Sequence, residues 1–160
     1  MLISLELFVM LVLANGTPVV AARILKRRWA APLDGGRLWS DGRPVLGKSK
    51  TWRGLVSGAL ACAMFSLVTG LGFGFGLVFG VLGLLGDLFS SFVKRRLGLP
   101  SSARAVGLDQ IPEAALPMIY AVIGLPVSGW IGLVVVTVFT AANILVSPFL
   151  YRWGIRRHPH

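Results

Sequence analysis

The sequence predicts an all-α, polytopic membrane protein with about five transmembrane helices. Three observations support this fold class: an apolar composition, long runs without charge, and basic residues gathered between those runs. Of the 160 residues, 55% are hydrophobic and 14% are charged, with a mean hydropathy of +0.77. Ordinary soluble domains carry about 25% charged residues, so this composition excludes an ordinary soluble domain. We expect residues 1–160 to form a single integral membrane domain.

Three apolar runs give the number of spans. The first extends from Leu2 to Ala22, the second from Leu55 to Gly86 and the third from Ala114 to Tyr151. A single helix over the 32 residues of the second run would be about 48 Å long, whereas the hydrocarbon core is about 30 Å thick. The second and third runs therefore each predict two spans, which turn near residues 70–72 and 126–129.

The distribution of basic residues supports this division. With five spans, all 16 Lys and Arg residues lie on one side. Arg23 lies at the end of the first span, the others lie in the loops 25–53 and 94–112 and in the tail, and neither short turn carries a charge. The positive-inside rule then places both loops and the carboxyl terminus in the cytosol and the amino terminus outside the cell membrane. Because the rule accounts for the net charge of +10, we expect no nucleic-acid partner.

Few side chains are available for chemistry. Cys62 is the only cysteine, which excludes a disulfide framework and a cysteine-based zinc site. The two histidines, His158 and His160, lie in the tail, which argues against a histidine-based triad or metal site. Any chemistry with hard cations must use the six carboxylates: Glu6, Asp34, Asp41, Asp87, Asp109 and Glu113.

Asp87 is the most informative of these carboxylates. It follows the 32 uncharged residues of the second run, and a carboxylate inside a membrane segment indicates a functional site because its insertion is costly. Ser91 and Lys94 follow at i+4 and i+7, which places all three side chains on one helix face. A carboxylate, a hydroxyl and an ammonium group together could hold a divalent cation and a phosphate.

Two further segments carry polar groups near helix starts. Lys50, Thr51 and Arg53 end a glycine-rich basic loop directly before a predicted helix, and helix amino termini bind anions. Asp109 lies shortly before the fourth predicted span, where an Asp commonly caps a helix. The glycines of the third span predict close helix packing, within one chain or between the subunits of a homo-oligomer.

Taken together, these motifs resemble the archaeal CDP-archaeol synthases (CDP-2,3-bis-(O-geranylgeranyl)-sn-glycerol synthases), relatives of the CDP-diacylglycerol synthases. The resemblance covers most of the chain. It is carried by residues Ala14–Pro18, Asp34–Gly36, Asp41–Gly47, Lys50–Gly54, Gly86–Arg96 and Leu108–Gln110.

The resemblance implies an enzyme that transfers CMP from CTP to a membrane phosphate lipid of the archaetidic or phosphatidic acid type, releases pyrophosphate and requires Mg²⁺. It implies that Asp87 and Asp109 hold Mg²⁺ and that Lys94 completes the catalytic set. The residues expected to bind the phosphates or cytidine are Asn15, Lys50, Thr51, Arg53, Ser91 and Arg95.

Other functions stay open at this point. A small transporter or ion channel could use Asp87 as an ion or proton site, but it would not need the basic glycine-rich loop. A CDP-alcohol phosphotransferase is disfavoured, because its paired aspartates are missing after Asp41-Gly42-Arg43. A non-catalytic assembly factor would need neither Asp87 nor Asp109.

Overall fold

The structure is a computed structural model that describes residues 2–100, 103 and 105–152. His158 and His160 lie outside the described residues. Within the described ranges the chain forms five α-helices, which confirms the predicted all-α class. They are α1 (Leu2–Leu25), α2 (Trp52–Val68), α3 (Phe73–Arg96), α4 (Ile111–Gly124) and α5 (Gly129–Arg152).

The helices differ in length. Three segments are long and apolar enough to cross a membrane: Leu2–Leu25, Phe73–Arg96 and Gly129–Val146. The helices α2 and α4 are also apolar but have only 17 and 14 residues, which corresponds to about 25 and 21 Å. Both are therefore shorter than the roughly 30 Å hydrocarbon core, and the chain that precedes each of them carries polar groups.

The short turns lie where the sequence predicts them. The α2–α3 turn spans residues 69–72, and Gly70 and Gly72 have φ angles of +84° and +93°, which glycine adopts without strain. The hydroxyl of Ser66 donates to the carbonyl of Gly72 over 2.8 Å and closes this turn. The long connections, residues 26–51 and 97–110, lie together at the opposite end of the bundle, which we call the loop end. The outermost residues of the predicted loops 25–53 and 94–112 belong to helices.

Helix α3 is central because its glycines allow two neighbours to approach. A Cβ atom on Gly76 or Gly80 would clash with α2, at Cys62 and at Ala59 respectively. A Cβ atom on Gly86 would clash with the backbone of Pro112 at the start of α4. The predicted packing role of these glycines is therefore confirmed. The buried core includes Leu7, Met10, Leu11, Ala14, Phe79, Ala114 and Met118.

Helix α1 runs without a break through Pro18. Because proline has no N–H, the Ala14 carbonyl loses its usual helical donor. Gly58 of α2 packs on that carbonyl so closely that a Cβ atom would lie 2.7 Å from the oxygen. One turn further along α2, the thiol of Cys62 donates to the Met10 carbonyl over 3.2 Å. The lone cysteine thus joins two helices.

Candidate active site

The 26–51 connection, which we call the basic loop, is organised by Asp34. The Asp34 carboxylate accepts backbone hydrogen bonds from Gly36, Leu46 and Gly47 at 2.9 to 3.1 Å. Partial burial raises the pKa of Asp34, but these three N–H groups outweigh it and hold the pKa below the ordinary value. The Leu33 amide donates to the Lys50 carbonyl over 2.8 Å. These bonds return the chain to the bundle with Lys50 fixed in position.

Arg96, at the end of α3, holds the basic loop against the bundle. Its guanidinium contacts the Asp41 carboxylate and the Pro44 carbonyl, each at 2.5 Å. In return, the guanidinium of Arg43 donates to the Arg96 carbonyl over 2.6 Å. The ring of Trp39 packs edge-on against Phe92, and the Arg96 guanidinium lies over both rings. No local pattern in the sequence indicates this role of Arg96, since its partners lie more than 50 residues away.

Lys50 is placed by this loop directly over Asp87. Its ammonium group lies 2.5 Å from the Asp87 carboxylate, and the two side chains are 21% and 28% exposed. Helical spacing predicts that Asp87 lies beside Ser91 and Lys94, because those residues share one face of α3. The tertiary structure instead gives Asp87 a cation from the basic loop.

Lys94 forms a second ion pair, with Asp109. The ammonium–carboxylate distance is 2.5 Å. The other carboxylate oxygen of Asp109 accepts the Ala105 amide over 2.9 Å, and Gln110 accepts the Gly107 amide in the same way. Residues 105–110 are therefore folded around the side chains of Asp109 and Gln110, and Lys94 is largely buried.

Both ion pairs include a residue that lies close in sequence to the contact between Gly86 and Pro112. Asp87 follows Gly86 directly, and Asp109 precedes Pro112 by three residues. Asp87 also lies nine residues before Arg96, or about 14 Å along the axis of α3. The Lys50–Asp87 pair is thus recessed behind the end of α3, and both of its side chains are partly exposed.

Thr51 and Arg53, which are also expected to bind substrate, lie at the loop end and make contacts within the protein. Thr51 caps α2 and accepts the Gly54 amide over 3.4 Å. Arg53 donates to the carbonyls of Lys26 and Arg28 over 2.6 and 2.9 Å. Their predicted contacts with CTP stay predictions.

Three other predicted residues point to different parts of the bundle. The Asn15 amide donates to the Leu11 carbonyl within α1 over 3.0 Å. Ser91 is buried on α3, and Arg95 donates to the Pro100 carbonyl over 3.1 Å. The Arg95 contact holds the start of the 97–110 connection on α3. Contacts of these three side chains with substrate also stay predictions.

The carboxylates suit a magnesium ion that is shared with substrate. Across residues 2–100, 103 and 105–152, no three His, Cys, Asp or Glu side chains cluster as a metal cage. Mg²⁺ does not need such a cage, because it commonly uses one or two carboxylates and takes its other ligands from phosphates and water. Asp87 and Asp109 are partly exposed oxygen donors, so the donor set fits this type of site.

Comparisons with known proteins find similar sequences over most of the chain. The family model described as CarS-like CDP-archaeol synthase matches residues 2–73 and 65–159. CDP-archaeol synthases from Thermococcus kodakarensis and Pyrococcus horikoshii are each 37% identical to the chain, over 91% of its length and 88% and 89% of theirs. The relative from Thermococcus onnurineus is 39% identical over 88% of this chain and 81% of its own.

A solved structure described as an intramembrane enzyme for archaeal membrane lipid biosynthesis has the same fold. It superposes with a TM-score of 0.72 at 27% identity, and the match covers 88% of this chain and 90% of that one. The predicted resemblance, the membrane location and the assignment as an enzyme of the cytidylyltransferase class are confirmed. The chain belongs to the CDP-archaeol synthase family.

Proposed function

We propose that this protein transfers CMP from CTP to the phosphate of an archaeol-type membrane lipid, giving a CDP-activated lipid and pyrophosphate. The proposal is carried by one observation: two ion pairs, Lys50–Asp87 and Lys94–Asp109, lie towards the loop end of the bundle. All four residues fall within motifs of the family. The names of the relatives support an archaeol lipid as the acceptor.

The reaction requires one bond to form and one to break. An oxygen of the lipid phosphate attacks the α-phosphorus of CTP, and the bond to the β-phosphate oxygen breaks as pyrophosphate leaves with its electron pair. The second pKa of a phosphate monoester is about 6, so the attacking oxygen is deprotonated at neutral pH. The protein therefore has to supply positioning and charge neutralisation rather than a general base.

The two lysines serve this purpose. Each now neutralises a carboxylate, and each ammonium group can exchange that carboxylate for a phosphate oxygen. Asp87 and Asp109 would then hold Mg²⁺, which neutralises phosphate charge as it develops. Lys50, on the basic loop, would contact CTP, and Lys94, on α3, would contact the lipid phosphate.

The recess of the Lys50–Asp87 pair suits two substrates of different origin. A lipid diffuses laterally in the bilayer and reaches the site between helices, whereas CTP enters from the aqueous side at the loop end. Since CTP is cytosolic, this mechanism places the loop end and the carboxyl terminus in the cytosol. The one-sided distribution of basic residues supports the same orientation.

The transporter or channel alternative has less support. An ion or proton site at Asp87 gives no reason for a basic loop that places Lys50 against that carboxylate. That function also gives no reason for the second pair, Lys94 and Asp109.

The proposal is tested with CTP labelled at either the α- or the γ-phosphate. Purified protein in lipid nanodiscs is incubated with Mg²⁺ and a phosphate lipid that carries either ether-linked isoprenoid or ester-linked acyl chains. We expect the α-label in the lipid and the γ-label in pyrophosphate, with the ether lipid preferred. Transfer of the γ-label to lipid would mean that the protein is a kinase, and no lipid labelling with either chain type would refute the proposal.

A further inference from the structure

A cluster of cations lies at the end of α1. Arg23, Lys26, Arg27 and Arg28 are exposed, and none of them forms an ion pair with a described residue (2–100, 103 and 105–152). Trp29 follows directly and is 80% exposed. Exposed tryptophan beside lysine and arginine is typical of the boundary between lipid headgroups and the hydrocarbon region. We call residues 23–29 the cationic turn.

The backbone of the cationic turn is strained and held in place. Lys26 and Trp29 have φ angles of +49° and +53°, a region that residues other than glycine rarely adopt. The Arg28 amide closes the turn by donating to the Leu25 carbonyl over 2.8 Å. The Arg53 guanidinium of α2 donates to the carbonyls of Lys26 and Arg28. Strain of this kind persists only where neighbouring groups impose it, and it is concentrated at functional sites.

We propose that the cationic turn binds the headgroup phosphate of an anionic membrane lipid, at a site separate from the two ion pairs. Arg53 fixes the backbone from which the cationic side chains extend. The loss of conformational entropy on binding a phosphate is therefore smaller than it would be for a mobile segment. Trp29 supplies an indole beside the glycerol region of the same lipid. Charge complementarity identifies the ligand as a lipid phosphate, because a basic segment at the membrane surface attracts anionic headgroups.

A lipid that binds the cationic turn has to carry only a phosphodiester in its headgroup. Phosphatidylglycerol is a suitable probe, because its phosphate is already a diester and is not an acceptor for CMP. Bound lipid is detected through Trp29, whose fluorescence is quenched by lipids with brominated chains. The chain has five tryptophans, so the Trp29 signal is the difference between the wild-type protein and Trp29→Phe.

The experiment compares quenching by brominated phosphatidylglycerol and by brominated phosphatidylcholine, each at increasing mole fraction in phosphatidylcholine vesicles. We expect the wild-type Trp29 signal to show a several-fold preference for the anionic lipid. The variant Arg27→Gln/Arg28→Gln should abolish this preference. The matched control Arg37→Gln/Lys48→Gln removes two exposed cations of the basic loop and should leave the preference unchanged.

The control pair distinguishes a defined site from diffuse attraction. An equal loss of preference in both double variants would mean that only net charge matters and would overturn the proposal. It would also be overturned if the wild-type protein showed no preference, or if Arg27→Gln/Arg28→Gln retained it. The variant Arg27→Lys/Arg28→Lys keeps the charge and should keep most of the preference, which guards against a folding defect. The measurement involves no turnover, so its failure would leave the proposed transferase activity untouched.

Discussion

Lys50 and Asp87 are 37 residues apart in the sequence, and their side chains meet at 2.5 Å. One residue ends the basic loop and the other lies inside an otherwise uncharged stretch of α3. An unpaired carboxylate in that stretch would be costly, and the loop supplies its counter-ion. The Lys50–Asp87 ion pair therefore joins the basic loop to α3, and the proposed reaction requires these two side chains to separate.

We predict that Asp87→Asn and Asp109→Asn each lower CMP transfer by roughly a hundredfold or more, the effect of removing one electrostatic group from an active site. Each change removes a carboxylate proposed to hold Mg²⁺. Turnover is measured with α-labelled CTP at saturating lipid. Asp41→Asn, measured at saturating CTP as well, is the control, because it removes a carboxylate of the loop end that pairs with Arg96 and is not proposed to hold Mg²⁺. Near-normal turnover in Asp87→Asn would place the metal elsewhere.

Lys50→Ala should raise the KM for CTP at least tenfold, while the KM for the lipid changes little. The proposed ammonium–phosphate contact belongs to CTP, so its loss weakens binding of that substrate. Lys48→Ala is the matched control, since Lys48 is exposed and forms no ion pair with a described residue. A change confined to the lipid KM would mean that Lys50 contacts the lipid and Lys94 contacts CTP.

Arg96→Ala should release the basic loop from α3. The change removes the contacts with Asp41 and Pro44 and the stacking over Phe92. Hydrogen exchange of the amides of residues 36–46 is expected to become faster by tenfold or more, and the KM for CTP should rise with it. Arg37→Ala, an exposed arginine of the same loop, should change neither quantity. Unchanged exchange in Arg96→Ala would show that the loop is held by other contacts.

Gly86→Ala should destabilise the protein by about 1–3 kcal/mol, because the added methyl group overpacks the contact with the Pro112 backbone. The matched control is Gly74→Ala in the same helix, where a Cβ atom meets nothing within 4 Å. That change should leave stability unchanged or raise it slightly, since alanine is the better helix former. Thermal unfolding in detergent measures both variants, and equal melting temperatures would contradict the packing assignment.

The order of the basic loop should depend on pH through Asp34. The pKa of Asp34 lies below the ordinary carboxyl value of 3.8 in the folded protein. The stability that the ionised Asp34 carboxylate gives to the basic loop is therefore fully present above about pH 4. It is lost as the pH falls through the lowered pKa of Asp34 in the folded protein. Proteolysis of the loop by an acid-active protease should accelerate only below about pH 4. Asp34→Asn should be cleaved readily at every pH, and a wild-type transition near pH 6 would argue for a different group.

The number of helices, their turns and the family could be predicted from local patterns in the sequence. A run of 32 uncharged residues is too long for one span, and the glycines at 70 and 72 fall where the chain must reverse. The motifs that carry the resemblance are read in the same way. The helices and turns depend on residues close together along the chain, whose spacing is fixed by helix geometry, whereas the family depends on the resemblance of short motifs.

Only the tertiary structure decided which charges meet. Helical spacing places Asp87 and Lys94 on one face, but it does not say which loop folds over that face, so the pairing of Lys50 with Asp87 and of Lys94 with Asp109 could not be predicted. The glycines of α3 likewise indicate close packing without naming the neighbour. The position of the basic loop depends on Arg96 and its distant partners. Side-chain pairing at the loop end is determined by contacts between segments far apart in the sequence, and no local pattern encodes those contacts.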